Sequence, residues 1–168
     1  MTERILLIGM MGVGKTTIGR ALANQLGWTF LDSDEQVQAA TGATVKEISV
    51  ADGPDVLHRF EDEALVAALA SATPVVITVA GGALLGEGNR ERLKSERHVV
   101  WLRASLETMA ERIGTKGDRP YFDHDPTKTI NELYAVRRPL YEEVATLTID
   151  VDTLSPEQIV GRILATVA

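Results

Sequence analysis

The chain has 168 residues, 45% of them hydrophobic, which is enough for one compact domain with a proper core and too apolar for a disordered segment. A formal charge of −7 argues against nonspecific nucleic-acid or anionic-membrane binding, and no apolar run approaches the ~20 residues that a spanning helix needs. The absence of cysteine excludes disulfides, thiol chemistry and cysteine-bound zinc; with no leader pattern in MTERILLIG, a cytoplasmic monomer is expected.

In chain order, Ile5 to Ile8 is an apolar run of strand length, and Lys15 to Leu26 follows with Ile18, Leu22 and Leu26 on one helical face. WTFLD (28–32) is a second strand ending on a carboxylate. Pro54 to Ala70 reads as a helix whose buried side carries Val56, Phe60, Ala64, Leu65, Ala67 and Ala68. PVVITV (74–79) is a third strand, ended by AGGA, and HVVWL (98–102) a fourth. A short helix over Leu106 to Ile113 and a long one over Lys128 to Ala145 flank GTKGDRPYFDHDPT (114–127), which reads as a mobile loop. LTIDV (147–151) is a fifth strand and Pro156 to Val167 a closing helix. Uniformly apolar strands separated by helices predict a five-stranded parallel sheet with helices on both faces, formed by residues 1–168 as a single domain. Ligands then sit at the carboxyl ends of the strands.

Gly9, Gly14, Lys15 and Thr16 fit G-x-x-x-x-G-K-[ST] between a strand and a helix. In such a loop the backbone N–H groups of Gly12, Val13, Gly14, Lys15, Thr16 and Thr17 curl around phosphates. The lysine reaches the β and γ phosphates, and the threonine hydroxyl faces Mg²⁺. The bland alternative is a chance glycine-rich turn. LDSDE (31–35) sets Asp32 and Asp34 beside this loop, one suited to support the metal and the other to accept a proton from an attacking hydroxyl. A capping role for Asp32 or Ser33, and for Ser33 above all, is the structural alternative.

GMMGVGKTT, LDSDE, TGATVKEI, DGP followed by Glu61, AGGA, DRP and RRPLYEEVA occur in the order and spacing of shikimate kinases, and the chain resembles that family over almost its whole length. The resemblance implies a P-loop kinase of the nucleoside-monophosphate-kinase type, transferring the γ-phosphate of ATP to the 3-hydroxyl of shikimate on the route to aromatic amino acids. It implies that Lys15, Asp34 and Arg119 are catalytic, with Asp34 holding the acceptor hydroxyls and Arg119 closing over the phosphates from a lid at 114–127. Thr16 and Asp32 would serve the metal. Arg112 would stack on adenine, and VDTLSP would complete that pocket. Arg137 would grip the acceptor carboxylate, with His58, Gly81 and Gly82 around the acceptor. Arg137 and Arg138 are adjacent on a helix, so at most one of them points into the site.

Three acceptor-side positions depart from the family pattern. Where the family has F-R-x-x-E the chain reads LHRFE, placing His58 at the arginine position; Glu61 is retained and is expected to pair with it. Ala80 replaces the first of three glycines, and Tyr121 and Phe122 replace lid leucines. These changes keep open a kinase of another cyclitol or polyhydroxy compound. A nucleotide-binding regulator without transfer is a further alternative.

Overall fold

The computed structural model describes residues 3–114 and 126–167. Its five apolar segments are strands β1 (Arg4–Ile8), β2 (Thr29–Asp32), β3 (Val75–Thr78), β4 (Val99–Arg103) and β5 (Leu147–Asp150). They lie in one sheet in the order β2-β3-β1-β4-β5, and all four pairings are parallel. From Ile5 to Ile8 and from Val75 to Thr78 every residue is buried, as strands covered on both faces require.

The covering helices are α1 (Lys15–Leu26), α2 (Ser33–Thr41), α3 (Val45–Asp52), α4 (Pro54–Leu69), α5 (Glu87–Lys94), α6 (Leu106–Gly114), α7 (Pro126–Val144) and α8 (Pro156–Val167), with a 3-10 turn over Gly81–Leu85. Helix α1 buries Ile18 and Leu22 as its spacing predicts, with Ala23 beside them and Leu26 half-buried, and stops at Gly27 in the left-handed region with φ 69°. Helix α3 starts in a capping box, Thr44 and Glu47 each closing on the other's backbone. Helix α4 begins with Pro54 in its first turn, where a missing N–H costs nothing.

The inward face of α4 differs from the sequence expectation. Leu57, Glu61, Ala64, Leu65 and Ala68 are buried, whereas Val56 and Phe60 are half-buried and Ala67 is exposed. The buried face is turned toward Leu57 and Glu61, because the Glu61 carboxylate has a partner in His58 on the inner side. Val37, Ile48, Leu57 and Ala64 form a small second core beneath α2, α3 and α4, separate from the main core on the sheet. Of the expected loop 114–127, Gly114 closes α6 while Pro126 and Thr127 open α7. Residues 115–125, with Arg119, Tyr121 and Phe122, lie outside the described residues. Among the described residues no helix is long and apolar enough to cross a membrane.

Candidate active site

The carboxyl ends of β1, β2 and β3 open into one cleft of about 620 Å³. The loop leaving β1 turns at Gly9 with φ 146°, where a Cβ would stand 2.6 Å from the Leu102 carbonyl oxygen, so only glycine fits against β4. Met10 and Val13 anchor the loop in the core. Gly12 and Gly14 take positive φ, and Gly14 starts α1 with no side-chain cap. The first turn of α1 thus presents N–H groups and the positive end of the helix dipole to the cleft. Lys15 Nζ donates to the carbonyls of Gly9 at 2.6 Å and Met10 at 3.1 Å. Arg112, on α6, reaches across to donate to the Gly12 and Val13 carbonyls at 3.2 and 3.1 Å. It lines the cleft together with Leu154 and Pro156, so Arg112 and the VDTLSP segment do converge.

Asp32 ties three elements together. Its Oδ1 accepts from Thr16 Oγ1 and from Thr78 Oγ1, both at 2.8 Å, and its Oδ2 accepts from the Glu35 backbone N–H at 3.2 Å. The last bond makes Asp32 the cap of α2; Ser33, expected in that role, is instead the first helical residue, and its N–H donates to Thr78 Oγ1 at 3.2 Å. The adjoining hydroxyl and carboxylate oxygens of Thr16 and Asp32 are hard ligands of the kind Mg²⁺ takes, and a short protein set suits an ion that keeps phosphate and water oxygens for the rest. Among the described residues no group of three or more His, Cys, Asp or Glu is placed to hold a metal unaided. Asp34, Thr17 and Ala80 also line the cleft. Ala80 sits at φ −64° and ψ 139°, so its methyl is accommodated without backbone strain.

Past Asp34 the cleft ends on Glu61 of α4 and Gly81 of the 3-10 turn; Arg137 and Tyr141 of α7 stand against Gly81, and His58 against Gly82, without lining the cleft themselves. His58 Nδ1 lies 3.0 Å from Glu61 Oε2, the expected pair, with the Glu61 side chain only 5% exposed. Both atoms press on Gly82, where a Cβ would collide with each of them. Next to it, a Cβ on Gly81 would stand 2.7 Å from Arg137 Nη1 and 3.0 Å from the Tyr141 hydroxyl. Arg137 is buried and its Nη1 has no hydrogen-bond partner among the described residues, while Arg138 is exposed and pairs with Glu142 at 2.9 Å; one arginine of the two points inward, as adjacency on a helix dictates. The Tyr141 hydroxyl lies alongside, likewise buried with no well-formed hydrogen bond. Burial pushes its phenol up to about 12, against the opposing pull of the Arg137 guanidinium.

Two residues of this site escaped the sequence reading. Thr78 announces itself only as a hydroxyl inside an apolar strand. Tyr141 lies one helical turn beyond Arg137, at the four-residue spacing that places side chains on one face.

A family model described as shikimate kinase matches residues 11–168. Shikimate kinases of Ruegeria pomeroyi and Pseudomonas syringae pv. tomato are each 38% identical over 167 residues, 99% of this chain, covering 85% and 96% of those proteins. The structure of shikimate kinase from Acinetobacter baumannii in complex with shikimate superposes with a TM-score of 0.91 at 35% identity, covering 99% of this chain and 93% of that one. A gluconokinase from Sinorhizobium meliloti, at 23% identity and a TM-score of 0.62, shares the fold alone. A phosphate loop and a carboxylate pair in one cleft, whose far end meets Glu61 and Gly81, agree with a match over nearly the whole sequence: the chain belongs to the shikimate kinase family.

Proposed function

We propose that this protein, acting as a single-domain cytoplasmic monomer, transfers the γ-phosphate of ATP to the 3-hydroxyl of shikimate, a step toward aromatic amino acids. The observation that carries the reading is that the phosphate loop and Asp34 line one cleft whose other end meets Glu61 and Gly81. Family membership supplies the acceptor.

The N–H groups from Gly12 to Thr17 and the N-terminus of α1 hold the phosphates, and Lys15 leaves the Gly9 and Met10 carbonyls to follow the charge on the transferred group. Thr16 and Asp32 would hold the magnesium that comes with ATP, which would supply charge withdrawal from the phosphate oxygens. Asp34 orients the 3-hydroxyl and takes its proton as the oxygen attacks phosphorus and the bond to ADP breaks. Arg112 flanks the nucleotide base. Arg137 grips the acceptor carboxylate, with His58 beside it, while Gly81 and Gly82 keep the turn close enough for both. Arg119, from the lid, completes the cationic surround of the phosphoryl group.

A second reading, transfer to another cyclitol, is favoured by one feature: the histidine at position 58. Release of ADP from Mg-ATP by the native protein separates the two, with shikimate set against a panel of cyclitols and sugar acids. The account expects shikimate to give the highest kcat/KM by at least tenfold; a higher value for another alcohol contradicts it.

A further inference from the structure

Helix α5 (EGNRERLK) touches no part of the cleft and has little apolar reason to be where it is: among its side chains only Asn89 and Leu93 are buried. Asn89 is 5% exposed, and every polar atom of its amide is used. Nδ2 donates to Asp62 Oδ1 at 2.7 Å and to the Ala83 carbonyl at 2.9 Å, while Oδ1 accepts from Arg92 Nη1 at 3.0 Å. Arg90, the next residue, donates from Nη1 to the carbonyls of Leu84 at 2.8 Å and Leu85 at 3.1 Å, and its Nε stands 3.1 Å from Glu143 on α7.

These bonds join the three pieces that build the acceptor end. Asp62 follows Glu61 on α4, Ala83 follows Gly82 in the 3-10 turn, and Glu143 lies two residues past Tyr141. The single Nδ2 therefore fixes, from behind, the spacing between the backbone at Gly82 and the side chain of Glu61. At that spacing a Cβ on Gly82 does not fit. The turn itself has no strand ladder to hold it, and productive geometry tolerates about 0.5 Å of play. We propose that Asn89 is a positioning residue for acceptor binding: its amide sets the register of α4 against the Gly81–Gly82 turn, while Arg90 and Lys94 beside it tie α7 through Glu143, and none of them meets either substrate. The proposal rests on the acceptor reading above.

The test compares Asn89→Ala and Asp62→Ala with the native protein by steady-state kinetics for both substrates and by amide hydrogen exchange. In Asn89→Ala the KM for shikimate rises at least tenfold, while the KM for ATP stays within twofold and kcat within threefold. Asp62→Ala, which cuts only the link to α4, shows the same split at a smaller factor and decides the matter if Asn89→Ala does not fold. An unchanged acceptor KM overturns the proposal, as does a parallel rise of both KM values, the mark of general loosening. Should the native protein not use shikimate, the acceptor reading fails on its own. Exchange then reads the brace without any substrate: the segment 80–86 exchanges at least tenfold faster in Asn89→Ala with 9–17 unchanged, and equal rates in 80–86 overturn it.

Discussion

Arginine and histidine differ at position 58 by more than charge. A guanidinium presents a planar fork that meets both oxygens of a carboxylate, whereas an imidazole has two divergent nitrogens, and here Nδ1 is already turned to Glu61 at 3.0 Å. That leaves Nε2 as the single atom His58 can offer an acceptor carboxylate, so in the proposed reading most of the grip falls to Arg137, whose buried Nη1 has no partner within the described protein. Losing one charge-assisted bond costs on the order of 1.5–3 kcal/mol, or roughly ten- to a hundredfold in affinity. His58→Arg should therefore lower the KM for shikimate at least tenfold in steady-state assays while leaving the KM for ATP unchanged; an unchanged acceptor KM would show that position 58 makes no such contact. At this scale the sequence was informative wherever chemistry depends on residue type. The glycine pair 81–82 and the lysine of the phosphate loop are legible because nothing else fits there. Which of Asp32 and Ser33 caps α2 was not, because both are good caps and the choice depends on Thr16 and Thr78, which come from distant segments.

Helix α7 shows how one element serves packing and binding together. Arg137 and Tyr141 share its inner face, and the Tyr141 ring packs on Trp101 of β4 with centroids 5.4 Å apart. A phenol raised to about 12 in the folded protein, against about 10 unfolded, stays protonated where the unfolded chain has lost its proton. The unfolded state then binds fewer protons, so stability is fully present below pH 10 and falls as pH rises toward 12, by at most ~1.4 kcal/mol per pH unit from this group. Tyr141→Phe should abolish that component of the alkaline loss, measured by denaturant unfolding at pH 8 and pH 11. At pH 8 its cost should stay within ~1 kcal/mol, because the hydroxyl it removes is buried without a good partner. A variant as alkali-sensitive as the native protein would contradict this. Periodicity found α1, α7 and all five strands, but it misplaced the inward face of α4, where a buried carboxylate breaks the rule that charge faces water. It passed over α3 and α5, each of which buries a single apolar side chain, Ile48 and Leu93, and so carries no repeat to read.

At the scale of the molecule, a parallel sheet sends the ends of β1, β2 and β3 to one edge, and that alone brings residues 9–17, 32–34 and 78–82 together. The phosphate loop itself is legible because one continuous motif builds it, while Arg112, Leu154 and Pro156 join that end of the cleft from distant segments. The acceptor half is assembled from α4, the 3-10 turn and α7, with α5 behind them, and side chains that meet across such distances leave no local pattern. The most direct test of the whole account is the identity of the product. After incubation of the native protein with Mg-ATP and shikimate, proton–phosphorus correlation NMR should show one new phosphomonoester coupled to the ring proton at carbon 3, in amounts equal to the ADP released. ATP loss to inorganic phosphate alone, or phosphate on a different hydroxyl, would contradict it.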